Sequence, residues 1–209
     1  PAIYKTTNYG KTWTNISKGI PYGAYTRVVR EDTQRKNLLF AGTELGMYIS
    51  WNGGKKWESF QLNLPITPIT DLKISHDDLT IATMGRSFWI LDDLGLLRQF
   101  QGSKTIFNLL KPEDAIIGNW GSQLNYSATN FSGSDDSAGV NPANGIVFYY
   151  FIPANQKNKE LALEIKDESG NMVRTISSKA NPNYLRYPGG PSPEPILSNK
   201  AGLNRFVWD

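Results

Sequence analysis

The side chains best able to move protons or hold an acid are Glu44, Asp71, Asp77, Asp78, Asp92 and Asp93, with Arg86 and Trp89 close to the last pair. Two carboxylates that cleave a glycosidic bond must flank it about 5 to 9 Å apart, one as acid and one as nucleophile or base. Adjacent residues point to opposite faces of an extended chain, so neither Asp77-Asp78 nor Asp92-Asp93 is a catalytic couple alone. His76-Asp77-Asp78 falls between two short apolar runs, where Asp favours local turn bonding. Asp92-Asp93 is the stronger candidate because Arg86 and Trp89 are near, and a turn reading stands beside it. Arg86 in Gly85-Arg86-Ser87 has the fork to bind a carboxylate, whether on a sugar, on a partner, or on Asp92 or Asp93.

Other chemistries are narrowed by what is missing. The chain of 209 residues has no cysteine and one histidine, His76, so thiol nucleophiles and Cys-ligated zinc are out. No G-x-S-x-G elbow occurs to place a serine. Asp135-Asp136 lacks the alternating spacing of a calcium loop. No metal and no cofactor is expected. Trp51, Trp89 and Trp120 could stack on sugar rings or be buried between sheets. The 22 basic and 19 acidic residues are mixed along the chain for a net charge of +3, which does not mark a nucleic-acid surface. No apolar run approaches the roughly 18 residues of a membrane span.

What must position these groups is a repeat. Residues 4–13 (YKTTNYGKTW) and 48–57 (YISWNGGKKW) align at an offset of 44 through Tyr4/Tyr48, Thr6/Ser50, Asn8/Asn52, Gly10/Gly54 and Trp13/Trp57. The hydroxyl and the Asn are placed to bond turn backbone groups. The Gly supplies positive φ, and the Trp is expected to fold under the turn as an apolar plug. Strands are predicted over 26–30, 38–42, 47–51 and 56–62, four to a period, as in a β-propeller blade. A degraded third copy follows over 71–75, 79–83 and 87–92, with Trp89 where Tyr48 was. Its turn, Asp92-Asp93-Leu94-Gly95, carries no Trp. Residues 112–114 read as one helical turn. Residues 118–145, rich in Gly, Asn and Ser, read as a linker or long loop. Strands return over 146–152, 161–167, 172–177 and 203–209, with a Gly170 hairpin turn. The expected organisation is all-β: propeller blades over 1–100, an irregular segment over 101–145, and an immunoglobulin-like β-sandwich over 146–209. A sandwich usually takes about 100 residues, so this one is expected to be incomplete.

Thr6-x-Asn8-x-Gly10-x-Thr12-Trp13 and Ser50-x-Asn52-x-Gly54-x-Lys56-Trp57 resemble Asp-boxes (BNR repeats), with Asn for the usual Asp. Such boxes occur in sialidases, xyloglucan-cleaving propellers and sortilin-type receptors. IATMGRSFWILDDLGLLRQ resembles the end of the propeller in large bacterial proteins of the sortilin-like, glycosyl-hydrolase-labelled family. NPANGIVFYYFIP, LALEIKDESGNMVRTIS and AGLNRFVWD resemble the β-sandwich after it. The resemblance implies an internal piece of a longer exported bacterial protein, secreted, periplasmic or on the cell surface. Asn keeps the turn, since both side chains accept backbone hydrogen bonds, but it weakens any metal role for the boxes. Arg27, Arg30 and Arg86 occupy different repeat positions, unlike the three arginines that a sialidase brings together.

The expected function is therefore a non-catalytic binding or scaffold segment, its partners being further blades or another chain, its ligand a carbohydrate or peptide. One alternative is part of a glycoside hydrolase with Asp92 or Asp93, and Arg86, at the site. A second is a sortilin-like peptide receptor.

Overall fold

The computed structural model describes residues 1–100, 106–115, 143, 145–185, 187–190 and 193–208. Among them the chain is all-β apart from one short helix and one 3₁₀ turn. The strands form several antiparallel sheets, none of them closed. Two compact units divide at Phe100/Gln101.

In the first unit β1 (Tyr4–Lys5) and β2 (Thr14–Asn15) make a hairpin. A four-stranded sheet follows in chain order: β3 (Thr26–Glu31), β4 (Leu39–Thr43), β5 (Gly46–Ser50) and β6 (Glu58–Ser59). A three-stranded sheet then comprises β7 (Ile69–Ser75), β8 (Asp78–Thr83) and β9 (Phe88–Leu91), and helix α1 (Gly95–Gln99) comes next. The strand predicted over 56–62 shrinks to two residues. Leu62 turns the chain with φ +46, and the Gln61 side chain takes the place of the ladder, accepting from Met47 N at 3.2 Å.

The degraded third copy keeps the register of the second. Ala41 pairs with Tyr48 as Ile81 pairs with Trp89. Each copy has an irregularity after its first paired residue, between Thr26 and Val28 and between Ile69 and Asp71. The turns are wired alike. Thr43 Oγ1 donates to Gly46 O at 2.9 Å, and Thr83 Oγ1 donates to Ser87 O at 2.6 Å. A fourth strand has no counterpart there; α1, absent from the sequence reading, occupies that stretch.

The sheets stack in one sense. Val29, Leu39, Ala41 and Tyr48 face Ile3, Ile16, Ile20 and Ala24 of the first segment. The opposite face, Val28, Phe40, Met47 and Ile49, is covered by Leu72, Leu79, Ile81 and Trp89 of the third sheet. By register these last four are the equivalents of Val29, Leu39, Ala41 and Tyr48. Every residue of β4 and β5 is buried in consequence. The face of the third sheet equivalent to Met47 and Ile49 bears Phe88 and Ile90, which are 74% and 61% exposed.

In the second unit β10 (Asn108–Leu109), β11 (Ile146–Ile152) and β14 (Gly202–Trp208) form one sheet; β12 (Ala162–Lys166) and β13 (Met172–Ser177) form another. Phe148, Tyr150, Ile152, Ile176 and Phe206 from both sheets share a core with Leu197. Gly170 takes φ +84 in the β12–β13 turn, and Asp167 accepts from both Asn171 N (2.8 Å) and Nδ2 (2.9 Å). Within the segment expected to be irregular, where Ile106-Phe107 and Leu109-Leu110 have the residue types of a strand, residues 108–109 form an edge strand paired with β11. The helical turn expected over 112–114 does not form. The loop over 118–145, including Trp120, Asp135 and Asp136, lies outside the described residues apart from 143 and 145.

A buried charge cluster ties α1 to both larger sheets. The Arg98 guanidinium grips the fully buried Asp32 carboxylate, Nε to Oδ1 at 2.9 Å and Nη2 to Oδ2 at 2.9 Å, and its Nη1 donates to Asp77. Arg35 Nη1 donates to Leu97 O and Phe100 O at the end of the helix, each at 2.7 Å. Burial pushes the Asp32 carboxyl up, but Arg98 and the amides of Arg35 and Gln34 outweigh it and hold the group below its ordinary range. Its contribution to stability is thus complete above the unfolded value near 3.8 and is lost as the pH falls through the lower folded value. Removing one partner of a buried pair strands the other charge at a cost of about 3 to 5 kcal/mol, whereas an exposed pair contributes about 0 to 1 kcal/mol. Asp32→Ala is therefore expected to lower urea stability by about 3 kcal/mol, while Glu58→Ala, which breaks the exposed Lys56–Glu58 pair, leaves the midpoint nearly unchanged.

Candidate functional site

The two repeated turns are built almost atom for atom alike. Gly10 N donates to Thr6 Oγ1 and Thr12 N to Asn8 Oδ1, both at 2.9 Å. Gly54 N donates to Ser50 Oγ and Lys56 N to Asn52 Oδ1, again both at 2.9 Å. Gly10 and Gly54 have φ +87 and +86. The position before each is also left-handed, Gly53 at φ +70 in one turn and Tyr9 at φ +57 in the other. Tyr9 therefore carries strain that Gly53 avoids.

The tryptophans differ. Trp57 is 1% exposed; its Nε1 reaches Ile16 O at 2.6 Å and its backbone N reaches Lys18 O at 2.9 Å. A Cβ on Gly19 would stand 2.2 Å from Trp57 O, so only glycine fits against that backbone. Trp13 is 59% exposed and turns its Nε1 back to its own Gly10 O at 3.1 Å. The expectation that both act as buried plugs is thus corrected for Trp13. Burial of Trp57 comes from a segment 41 residues upstream, and the described residues place no such segment over Trp13.

The carboxylate candidates are brought together in part. Asp93 N donates to Asp78 Oδ1 at 3.1 Å. Burial, then the charges of Asp78 and Asp93, raises the Asp92 carboxyl above its ordinary range. Asp93, at φ +57, has Oδ1 buried without a partner among the described residues. Arg86 precedes β9 and Asp92 follows it, so the four-residue strand, about 13 Å of extended chain, lies between them, and Arg86 pairs with no carboxylate among the described residues. Trp89 has its Nε1 on Arg86 O at 2.9 Å and its ring in the layer between sheets. It is half-buried there. Asp77 and His76 are the two central residues of the β7–β8 hairpin, with φ +67 and +51, the geometry of a type I′ turn. No group of His, Asp and Glu among the described residues is arranged to hold a metal ion.

Trp51 has a different setting. The Arg35 guanidinium lies 5.3 Å from its ring centroid, and the Phe100 ring is tilted against it at 5.3 Å. It forms one wall of a cleft of ≈ 610 Å³ between the two turns, which Lys5, Lys36 and Lys55 also line. These lysines come from β1, the β3–β4 loop and the second turn, and the sequence reading did not bring them together. No helix among the described residues is long and apolar enough to cross a membrane.

Compared with known proteins, the chain matches no family model and no curated protein sequence.

Two consequences of the turn geometry are measurable by equilibrium unfolding. Trp57→Ala is expected to cost about 3 to 5 kcal/mol, against about 1 kcal/mol or less for Trp13→Ala. Tyr9→Gly should raise stability by up to about 1 kcal/mol through relief of the left-handed backbone.

Proposed function

We propose that the chain is a non-catalytic binding or scaffold segment: sheets of an Asp-box β-propeller over the first unit, then a β-sandwich over the second, from an exported bacterial protein. The observation that carries this reading is the one-sense stacking. Each sheet in the stack offers the same face backward and the same face forward, a head-to-tail contact that generates rings when the rotation closes. Propellers close with about four to eight such sheets. The partner that the stack calls for is a further sheet of the same repeat, in this or another chain, laid on Phe88 and Ile90. The hydroxyl, Asn and Gly of each repeated motif are used up in turn bonding, which favours scaffold over catalysis.

A second reading, a glycoside hydrolase, draws on Asp92, whose raised carboxyl is the direction a general acid needs. Under it, Asp93→Asn abolishes glycan turnover by the protein with the fold intact. Absence of turnover across acidic and neutral glycans removes it.

Covering Phe88 and Ile90 is worth about 1.5 to 3 kcal/mol each. The 209-residue chain should therefore self-associate on sizing, and Phe88→Lys/Ile90→Lys should shift it toward monomer with its melting temperature held. A chain that is monodisperse and unaffected by this pair of changes would overturn the stacking argument.

A further inference from the structure

The cleft between the two turns gathers positive charge with no carboxylate on its lining. Lys5, Lys36, Lys55 and Arg35 line it, and no Asp or Glu does. Four other cations of this unit have carboxylate partners, Arg27 with Glu44, Arg30 with Asp71, Lys56 with Glu58 and Arg98 with Asp32, while Lys11, Lys18, Lys73 and Arg86 stand apart from the cleft without one among the described residues. The carboxylate of Glu31, on the neighbouring strand, is occupied by the amide of Asn37 at 2.8 Å. Lys5, Lys36 and Lys55 make no ion pair among the described residues. Like charges gathered along one cleft raise its positive potential and favour an anionic occupant.

The walls between the cations have a definite chemistry. Gly53 carries no Cβ, and one placed there would stand 2.7 Å from Asn37 Oδ1 and 3.4 Å from Lys5 Nζ, so the Lys5 ammonium reaches in over the turn backbone. Gly53 N is held by Asn37 O at 2.8 Å, which locks the second turn to the β3–β4 loop. Thr7, Thr12 and Thr14 line the side formed by the first turn, and Trp51 lies opposite under Arg35. Hydroxyls, one aromatic ring and separated ammonium groups match a chain of sugar rings carrying spaced acids. Nucleic acid is fitted less well, because successive bases need successive aromatic platforms and the cleft has one.

We infer that this cleft binds a segment of an acidic polysaccharide, its carboxylate or sulfate groups taken by Lys5, Lys36 and Lys55 and its rings lying along the wall that Trp51 and the threonines form. The site needs only the first two turns, so it is independent of how the stack beyond β9 is completed.

The test is titration of the 209-residue chain with polygalacturonate oligomers and with a sulfated glycan oligomer. A neutral xyloglucan oligosaccharide, poly-glutamate and a DNA oligonucleotide serve as comparisons. At least one acidic saccharide is expected to bind at least tenfold more tightly than the neutral one, and to weaken several-fold when salt is raised from about 0.05 to 0.5 M. Lys36→Glu/Lys55→Glu should weaken it at least tenfold with an unchanged melting temperature, since both side chains are exposed. Lys56→Glu, outside the cleft, should leave it as it was. The inference is overturned if neither acidic saccharide exceeds the neutral one or if the double variant binds equally well. Tighter binding of poly-glutamate or DNA with the same sensitivity to Lys36 and Lys55 would also overturn it, assigning the cleft to another class of ligand.

Discussion

One buried tryptophan holds the first unit in register. Trp57 fills the layer between the first hairpin and the four-stranded sheet, donating from its ring to Ile16 and from its backbone to Lys18. Both donors are satisfied by a segment some forty residues upstream, so burial of the ring and pairing of its polar groups occur together. Gly19 follows from this contact, because any side chain there would strike the Trp57 carbonyl. The four-stranded sheet is then covered behind by the first segment and in front by the third sheet, which explains why β4 and β5 are buried on both faces although they belong to an antiparallel sheet.

A second constraint operates where the repeat ends. The third sheet has no fourth strand among the described residues, and the chain crosses back as α1 instead. A five-residue helix has little stability of its own. It is held by Arg98 on Asp32 and Asp77, and by the Arg35 guanidinium on its terminal carbonyls. Ion pairing of this kind returns little net energy once desolvation is counted, but it allows a single geometry. It also explains the left-handed His76-Asp77 turn: the strained position presents Asp77 to both Arg98 and Gln34.

These two constraints separate structural residues from those left for recognition. The repeated hydroxyl, Asn and Gly residues are bonded inside their own turns, Trp89 is in the core layer, and Asp77 belongs to the clamp. The cations left without an ion pair among the described residues include the lysines around Trp51, in a cleft lined by both copies of the same turn. Repetition of a structural motif thus produces a recessed surface that neither copy has alone.

The turns, and most strands to within one to three residues, were readable from residue types and spacing, because side-chain to backbone bonds across two to four positions form wherever those residues occur. Thr6 with Gly10 and Ser50 with Gly54 needed no distant partner. Trp13 and Trp57 look identical in sequence yet differ in burial from 59% to 1% exposed, because exposure depends on what another part of the chain lays over them. The Asp32–Arg98 pair, 66 residues apart, helix α1, and the meeting of Lys5, Lys36 and Lys55 were invisible for the same reason. Local hydrogen bonding is written in short-range pattern; the neutralisation or isolation of a charge, and the covering of a ring, are properties of the packed chain.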